Sequence, residues 1–106
     1  MNEQLKPILA EFRRRLQALY GDRLVRLVLF GSQARGDAEL GSDIDVLVVL
    51  QAPVRPGEEI ARTGEIRASL SLQHNVVISC AYVSAERYLK EQSPLLINVR
   101  REGFII

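Results

Sequence analysis

Residues 30–46 read FGSQARGDAELGSDIDV, and the pattern of this stretch predicts the fold around it. The stretch starts at the end of an apolar run, residues 24–30, and leads into a second apolar run, residues 44–50. Short apolar runs that are bounded by Gly, Ser and Asp predict buried strands. We therefore expect two adjacent strands, joined by a polar connection that begins with Gly31-Ser32.

The two aspartates at the end of this stretch are candidate metal ligands. Because residues two apart on a strand point to the same face, Asp43 and Asp45 should share a face, with Cα atoms roughly 7 Å apart. Mg²⁺ is typically held by one or two carboxylates together with substrate phosphates. Gly31-Ser32 adds a small-residue turn whose backbone N–H groups can receive phosphate oxygens. Together these features predict a site that handles nucleotides.

The order of strand, Gly-Ser, ten residues, Asp-x-Asp and strand resembles the DNA polymerase beta-type nucleotidyltransferase superfamily. Residues 31–36 (GSQARG), residues 42–49 (SDIDVLVV) and, more loosely, residues 93–103 (SPLLINVRREG) resemble its minimal nucleotidyltransferase members. Such members are often encoded beside a HEPN-domain protein in prokaryotic toxin–antitoxin pairs. The resemblance implies an α/β fold in which residues 1–106 form one domain, with a small mixed sheet of three to four strands and packed helices.

The resemblance also assigns roles to residues. Asp43 and Asp45 would be catalytic and would bridge two Mg²⁺ ions, held about 4 Å apart in sites of this kind. Gly31, Ser32 and Arg35 would bind the nucleotide, ATP or another NTP, with the Ser32 hydroxyl and nearby backbone N–H groups on the departing phosphates. For Arg35 two alternatives stay open: it contacts the triphosphate or a site carboxylate, or it ties the loop to the sheet.

One departure from the family pattern concerns the strand after the second long helix. Members with full activity usually carry a third carboxylate there, which helps to hold the catalytic metal and to activate the acceptor hydroxyl. Here residues 74–83 read HNVVISCAYV, with no Asp or Glu. Asn75 and Ser79 offer neutral oxygens, which could coordinate a metal weakly but cannot act as carboxylate bases.

Two hypotheses from different classes follow. The intact Gly-Ser and Asp-x-Asp favour an Mg-dependent enzyme that transfers AMP, or another nucleotide, to a hydroxyl on a HEPN-like toxin and so acts as an antitoxin. The absent third acid favours a catalytically weak or inactive binding module that neutralises its partner by contact. A housekeeping transferase for a small molecule is a third reading, limited by the lack of a substrate domain. We favour the enzyme.

Composition narrows the class of partner. Lys and Arg number 14 against 13 Asp and Glu, and a net charge of +1 does not indicate nucleic-acid binding. Cys80 is the one cysteine, which rules out an internal disulfide and fits a reducing compartment. No apolar run approaches the ~20 residues of a membrane span. We therefore expect a cytoplasmic protein without a membrane segment.

Periodicity predicts the remaining elements. A first helix ending at Gly21 should bury one apolar stripe: Leu5, Ile8, Leu9, Phe12, Leu16 and Leu19. We expect four further elements: a helix over residues 57–72, a strand over residues 75–83, a helical segment capped by Ser84, and a last helix over residues 94–101 capped by Ser93.

Several polar and apolar side chains have an ordinary interpretation and a functional one. Arg13, Arg14 and Arg15 form either a solvated face or a contact to nucleic acid or a partner. Asp37 reads as a turn residue rather than a third ligand, and His74 as a loop residue rather than a metal ligand. Within the apolar C-terminal segment, a second protein or a second copy is expected to cover four side chains: Leu95, Val99, Phe104 and Ile105.

Overall fold

Five α-helices, one 3₁₀ turn and four strands make up the part of the chain that this computed structural model describes, residues 2–39 and 41–106. In chain order they are α1 (Leu5–Tyr20), the 3₁₀ turn (Gly21–Arg23), β1 (Leu24–Phe30), α2 (Gly31–Arg35), β2 (Ile44–Leu50), α3 (Pro56–His74), β3 (Ile78–Ser84), α4 (Ala85–Lys90), α5 (Pro94–Glu102) and β4 (Phe104–Ile105). The bounds of β1 confirm the first predicted strand.

The strands form one mixed sheet in the order β3-β2-β1-β4. The β1 strand runs antiparallel to β2 and β4, whereas β2 and β3 are parallel. In this register Asp45 lies opposite Phe30 on one side and opposite Ser79 on the other. The predicted small mixed α/β sheet is confirmed, and its register brings the ends of β1, β2 and β3 together.

The sheet is covered on both faces, as the apolar β2 sequence predicts. Ile44, Val46, Val48 and Leu50 pack into a core with α1 and Leu70 of α3. Leu47 and Val49 point the other way, into a core with Tyr88 of α4 and with α5. Because side chains alternate along a strand, Asp45 belongs to the same face as Leu47 and Val49.

The apolar stripe of α1 differs from the predicted one at its end. Its first five members are buried, but Leu19 is 41% exposed and Tyr20 is buried in its place. The reason is helical geometry: Tyr20 is four residues after Leu16 and therefore continues the same face. Among the helices of the described residues, none is long and apolar enough to cross a membrane.

The second half of the chain keeps the predicted order with shifted boundaries. His74, expected in a loop, is the last residue of α3, and Asn75 ends that helix with a left-handed φ of 53°. The β3 strand therefore begins at Ile78, later than predicted. Ser84 accepts a hydrogen bond from the Arg87 backbone N–H, which confirms the predicted cap.

The C-terminal segment corrects one prediction about exposed residues. Val99 is 1% exposed because α5 turns it, together with Leu96, into the core of the sheet. Leu95, Phe104 and Ile105 are exposed, as expected for an apolar tail. Phe104 and Ile105 form β4, which pairs with β1 at the edge of the sheet.

Candidate active site

The predicted aspartates lie at the N-terminal end of β2. Asp43 is the second residue before Asp45; it precedes the strand and is exposed, whereas Asp45 lies on the strand and is partly buried. Phe30, the last residue of β1, pairs with Asp45, and α2 begins directly after Phe30. The structure therefore brings the Gly31-Ser32 turn to the carboxylate of Asp45.

Gly31 lies close to the carboxylate of Asp45. Its φ is +75°, and a Cβ atom placed on it would lie 2.3 Å from Asp45 Oδ2. Glycine is needed here on both counts, because a side chain would be strained and would displace the carboxylate. Ser32 follows in α2, and its carbonyl accepts the backbone N–H of Gly36 at 3.0 Å, which closes the short helix.

The β3 strand contributes a hydroxyl to the same end of the sheet. Ser79 lies opposite Asp45 in the parallel pairing, and its Oγ donates a hydrogen bond to Asp43 Oδ2 at 3.0 Å. The sequence suggested Ser79 and Asn75 as equivalent weak ligands, but Asn75 ends α3 and is not part of β3. The contact between Ser79 and Asp43 was missed, because it depends on the register of two strands that are far apart in sequence.

Arg35 connects α2 to the C-terminal helix. Its guanidinium donates hydrogen bonds to Asp37 at 3.2 Å and to Glu102 of α5 at 3.2 Å. The expected tie thus runs to α5 rather than to the sheet. Arg35 is also near enough to the carboxylates to act on the pKa of Asp45. These two ion pairs hold the Arg35 side chain beside the candidate site when no nucleotide is bound.

The electrostatics of the site favour a cation. Burial raises the pKa of Asp45 above its ordinary value, the charge of Asp43 raises that pKa further, and Arg35 lowers it. Two neighbouring carboxylates disfavour each other's ionisation, and a cation bound between them makes the ionisation of both favourable. Across residues 2–39 and 41–106, no group of three or more His, Cys, Asp or Glu side chains gathers into a metal site. Two carboxylates and the Ser79 hydroxyl are hard oxygen donors, a set that fits Mg²⁺ with further ligands from substrate phosphates.

A cleft of ≈ 510 Å³ lies beside this site, on the other side of the α2–β2 connection. Gln33, Ser42 and Ile44 line it together with His74 and Asn75. Asp43 and Asp45 are not among its lining residues. His74, the last residue of α3, therefore borders the cleft and is not part of the carboxylate cluster.

The remaining charged candidates pair within the protein. Asp37 is exposed and pairs with Arg35. Arg14 and Arg15 both pair with Glu11, at 2.6 Å and 3.0 Å, and Arg13 donates to the carbonyl of Ile106. These contacts account for the arginine face of α1 as a solvated surface whose charge is partly compensated.

Comparison with known proteins identifies the family. The model of the nucleotidyltransferase domain family matches residues 9–105. The chain belongs to this family. A protein of Methanocaldococcus jannaschii named as a candidate protein adenylyltransferase is 33% identical over 107 residues, which cover 100% of this chain and 99% of that protein. The family resemblance seen in the sequence is confirmed, and the chain is a nucleotidyltransferase-type protein.

Solved structures share the fold. A candidate minimal nucleotidyltransferase is 28% identical with a TM-score of 0.56, and the match covers 94% of this chain and 93% of that one. A toxin–antitoxin structure with AMP-PNP is 20% identical with a TM-score of 0.59, and the match covers 89% of this chain and 68% of that one. The mixed sheet and its packed helices are therefore those of minimal nucleotidyltransferases.

Proposed function

We propose that the chain is a protein adenylyltransferase that transfers AMP from Mg-ATP to a hydroxyl group of a partner protein. The observation that carries the proposal is the approach of the Gly31-Ser32 turn to the carboxylate pair, where a Cβ atom on Gly31 would lie 2.3 Å from Asp45 Oδ2. A phosphate-binding turn beside two carboxylates supplies what nucleotidyl transfer needs. The name of the M. jannaschii relative supports the choice of a protein as acceptor.

The transfer step exchanges one phosphorus–oxygen bond for another. The acceptor oxygen bonds to the α-phosphorus, the bond from that phosphorus to the bridging oxygen breaks, and pyrophosphate leaves. In this proposal the hydroxyl proton goes to solvent, because Asp43 and Asp45 hold the cation and residues 78–84 of β3 contain no Asp or Glu to receive it. Mg²⁺, when bound, supplies charge stabilisation for the attacking and leaving oxygens.

The chain's own residues bind and orient the nucleotide in this proposal. Asp43 and Asp45 hold the divalent cation. The Ser32 hydroxyl and the backbone N–H groups of the turn bind the β- and γ-phosphates, where negative charge grows as pyrophosphate leaves. Gly31 allows this close approach because it has no side chain. Arg35, at the other end of α2, is the cation available to a phosphate once a nucleotide competes with Asp37 and Glu102.

The acceptor in this proposal is a HEPN-like toxin, which the chain would modify as an antitoxin. The resemblance of the sequence to minimal nucleotidyltransferases suggests it, and a toxin–antitoxin complex of similar fold supports it. The exposed side chains of Leu95, Phe104 and Ile105 give the C-terminal segment an apolar surface on which such a partner could rest. A second copy of the chain is the other acceptor that the experiment below distinguishes.

The test follows a labelled AMP group. The protein is co-purified with its HEPN-like partner and incubated with Mg²⁺ and ATP labelled at the α-phosphate, and the products are separated by electrophoresis and weighed by mass spectrometry. We expect the partner to gain the mass of one or more AMP groups. Asp45→Asn should stop this transfer and leave the complex intact, whereas Asp37→Asn, a carboxylate change outside the pair, should not. Label on the chain itself would identify a second copy as acceptor.

A binding module is the second candidate, and the observation that favours it is the neutral Ser79 opposite Asp45. A nucleotidyltransferase fold without a third carboxylate could neutralise a partner by contact alone. Full neutralisation of the partner without label transfer, in wild type and Asp45→Asn alike, would establish this function and reject the adenylyltransferase.

A further inference from the structure

Ser79 lies where the third strand reaches the carboxylate pair. The parallel register of β2 and β3 sets Ser79 opposite Asp45, and Ile78 opposite Ile44. Residues that pair across neighbouring strands point to the same face of the sheet. The Ser79 hydroxyl is therefore on the face of Asp45, at the end of the sheet where Asp43 enters it.

The other residues near this position do not offer the pair a polar side chain from β3. Cys80 points to the opposite face and packs against the core formed with α1. Ala81, the next residue on the face of Asp45, is apolar and packs in the core formed with α5. Within β3, Ser79 is thus the one polar side chain in register with the carboxylates.

The hydrogen bond from Ser79 constrains a side chain that is otherwise exposed. Asp43 lies in the connection before β2, so the strand ladder does not fix it. An exposed aspartate can populate several rotamers, and a single orientation must be selected when it binds a cation. The Ser79 Oγ donates to Asp43 Oδ2 at 3.0 Å. This bond engages one carboxylate oxygen and leaves the lone pairs of the second for a ligand.

We propose that Ser79 is a positioning residue, whose hydroxyl holds the Asp43 carboxylate in the orientation that binds the divalent cation. This inference rests on the proposed function, because it takes Asp43 and Asp45 as the ligands. Orientation before binding raises affinity, since the side chain has less freedom to lose when the cation arrives. The hydroxyl does this without adding a third negative charge to a pair that already disfavours ionisation.

The experiment measures binding of Mn²⁺ alone, by calorimetry without nucleotide, to the wild-type chain, Ser79→Ala and Ser79→Thr. Ser79→Ala removes the donor, and we expect its affinity for Mn²⁺ to fall about tenfold, near the lower end of the effect of one lost hydrogen bond to a charged group. Ser79→Thr keeps a hydroxyl on a β-branched residue that strands accept, and its affinity should stay within about twofold of wild type. Rescue by threonine is an effect that a merely structural role of Ser79 would not produce.

Ser69→Ala is the matched control, because it removes a hydroxyl from α3, which packs on the opposite face of the sheet. It should bind Mn²⁺ as the wild type does, and melting curves should show that all variants are folded. Wild-type affinity in Ser79→Ala, or equal weakening in Ser79→Ala and Ser79→Thr, would overturn the role of Ser79 and leave the proposed function standing. Equal Mn²⁺ binding by the wild type and the double variant Asp43→Asn, Asp45→Asn would reject the metal site itself, and the role of Ser79 with it.

Discussion

Glu59 and Asp45 are both shielded from solvent, fully and partly respectively, but the charges around the two carboxylates are opposite in kind. Glu59, on α3, is 2% exposed, and it accepts hydrogen bonds from the Tyr20 hydroxyl at 2.9 Å, from Arg62 at 3.2 Å and from Arg23 at 3.4 Å. Asp45, on β2, is also partly buried, but its nearest charged neighbours include a second carboxylate, Asp43.

The difference separates a structural carboxylate, Glu59, from the pair that we propose to be functional. Glu59 has positive and hydrogen-bonding partners from α1, the 3₁₀ turn and α3, so its charge links these elements. Asp43 and Asp45 disfavour each other's ionisation, and the β3 hydroxyl of Ser79 donates a hydrogen bond to Asp43. Sites of this kind lower stability in the absence of ligand and are retained for function. Neutralising the two kinds of carboxylate should therefore change stability with opposite signs.

The largest effect is expected from Gly31→Ala. The added Cβ would lie 2.3 Å from Asp45 Oδ2 and must displace that carboxylate. We expect AMP transfer to fall by roughly 10²-fold or more, the size typical of a displacement of about 1 Å in an active site. The measurement is the rate of label transfer from ATP to the partner.

Gly36→Ala is the control for this change. Gly36 has a similar φ of +80°, but among the described residues no atom lies within 4 Å of its Cβ position. Both variants should lose about 1–2 kcal/mol of stability, because both force a side chain into a left-handed backbone conformation. Equal losses of activity in the two variants would show that the backbone, rather than the contact with Asp45, limits the reaction.

Glu59→Gln tests the structural carboxylate. The change leaves Arg23 and Arg62 without their buried counter-charge, and we expect the free energy of unfolding in urea to fall by roughly 2 kcal/mol. Glu58→Gln, the neighbouring change at an exposed side chain that pairs with Arg55 at 3.5 Å, should have almost no effect. Label transfer by the folded fraction of Glu59→Gln should match the wild type. A selective loss of transfer would connect Glu59 to the active site.

Arg35→Gln tests a residue that has both kinds of neighbour, because Arg35 pairs with Glu102 and also lies beside the proposed functional pair. If Arg35 binds phosphate, calorimetry should show Mg-ATP affinity reduced about tenfold or more, the size expected for a lost charge-assisted hydrogen bond. Glu102→Gln breaks the tie to α5 and removes one competitor for Arg35, so it should keep that affinity or raise it slightly. Equal weakening in both variants would assign the effect to the position of α2 rather than to a phosphate contact.

The smallest effect is expected from Asp45→Asn on stability. The raised pKa of Asp45 means that the folded protein holds this proton more readily than the unfolded chain. The favourable contribution of this proton to the free energy of unfolding is therefore complete below the ordinary pKa of 3.8. It is lost as the pH rises through the raised pKa of Asp45. At neutral pH the ionised carboxylate lowers stability, so Asp45→Asn should raise the free energy of unfolding by about 0.5 kcal/mol, a small effect because solvent screens the group.

The gain in Asp45→Asn should disappear in acid, where the wild-type carboxyl is protonated as well. Thermal unfolding from neutral pH down to about the ordinary pKa measures it. Asp37→Asn, at an exposed carboxylate that pairs with Arg35, should show no such gain. A loss of stability in Asp45→Asn at neutral pH would show that both carboxylate regions are structural and would break the comparison.

The elements that depend on local pattern could be predicted from the amino-acid sequence. The pattern in and around residues 30–46 predicted two strands, the small-residue turn and the paired aspartates. Apolar runs, alternation and Gly-Ser punctuation are signals that act over a few residues. Ser84 and Ser93 were predicted as helix caps for the same reason, and both accept the expected backbone N–H groups. The mixed sheet was predicted from the family resemblance.

Contacts between residues that are distant in the sequence could be seen only in the folded structure. Tyr20 with Glu59, Arg35 with Glu102, and Ser79 with Asp43 are separated by 39, 67 and 36 residues, respectively. Val99 was expected to be covered by a partner, and the packing of α5 buries it within the chain. The burial of Glu59 in the first turn of α3 likewise follows only from packing. The physical reason is that strand register and helix rotation are set by the whole core, so contacts of single polar atoms follow from packing that no local pattern contains.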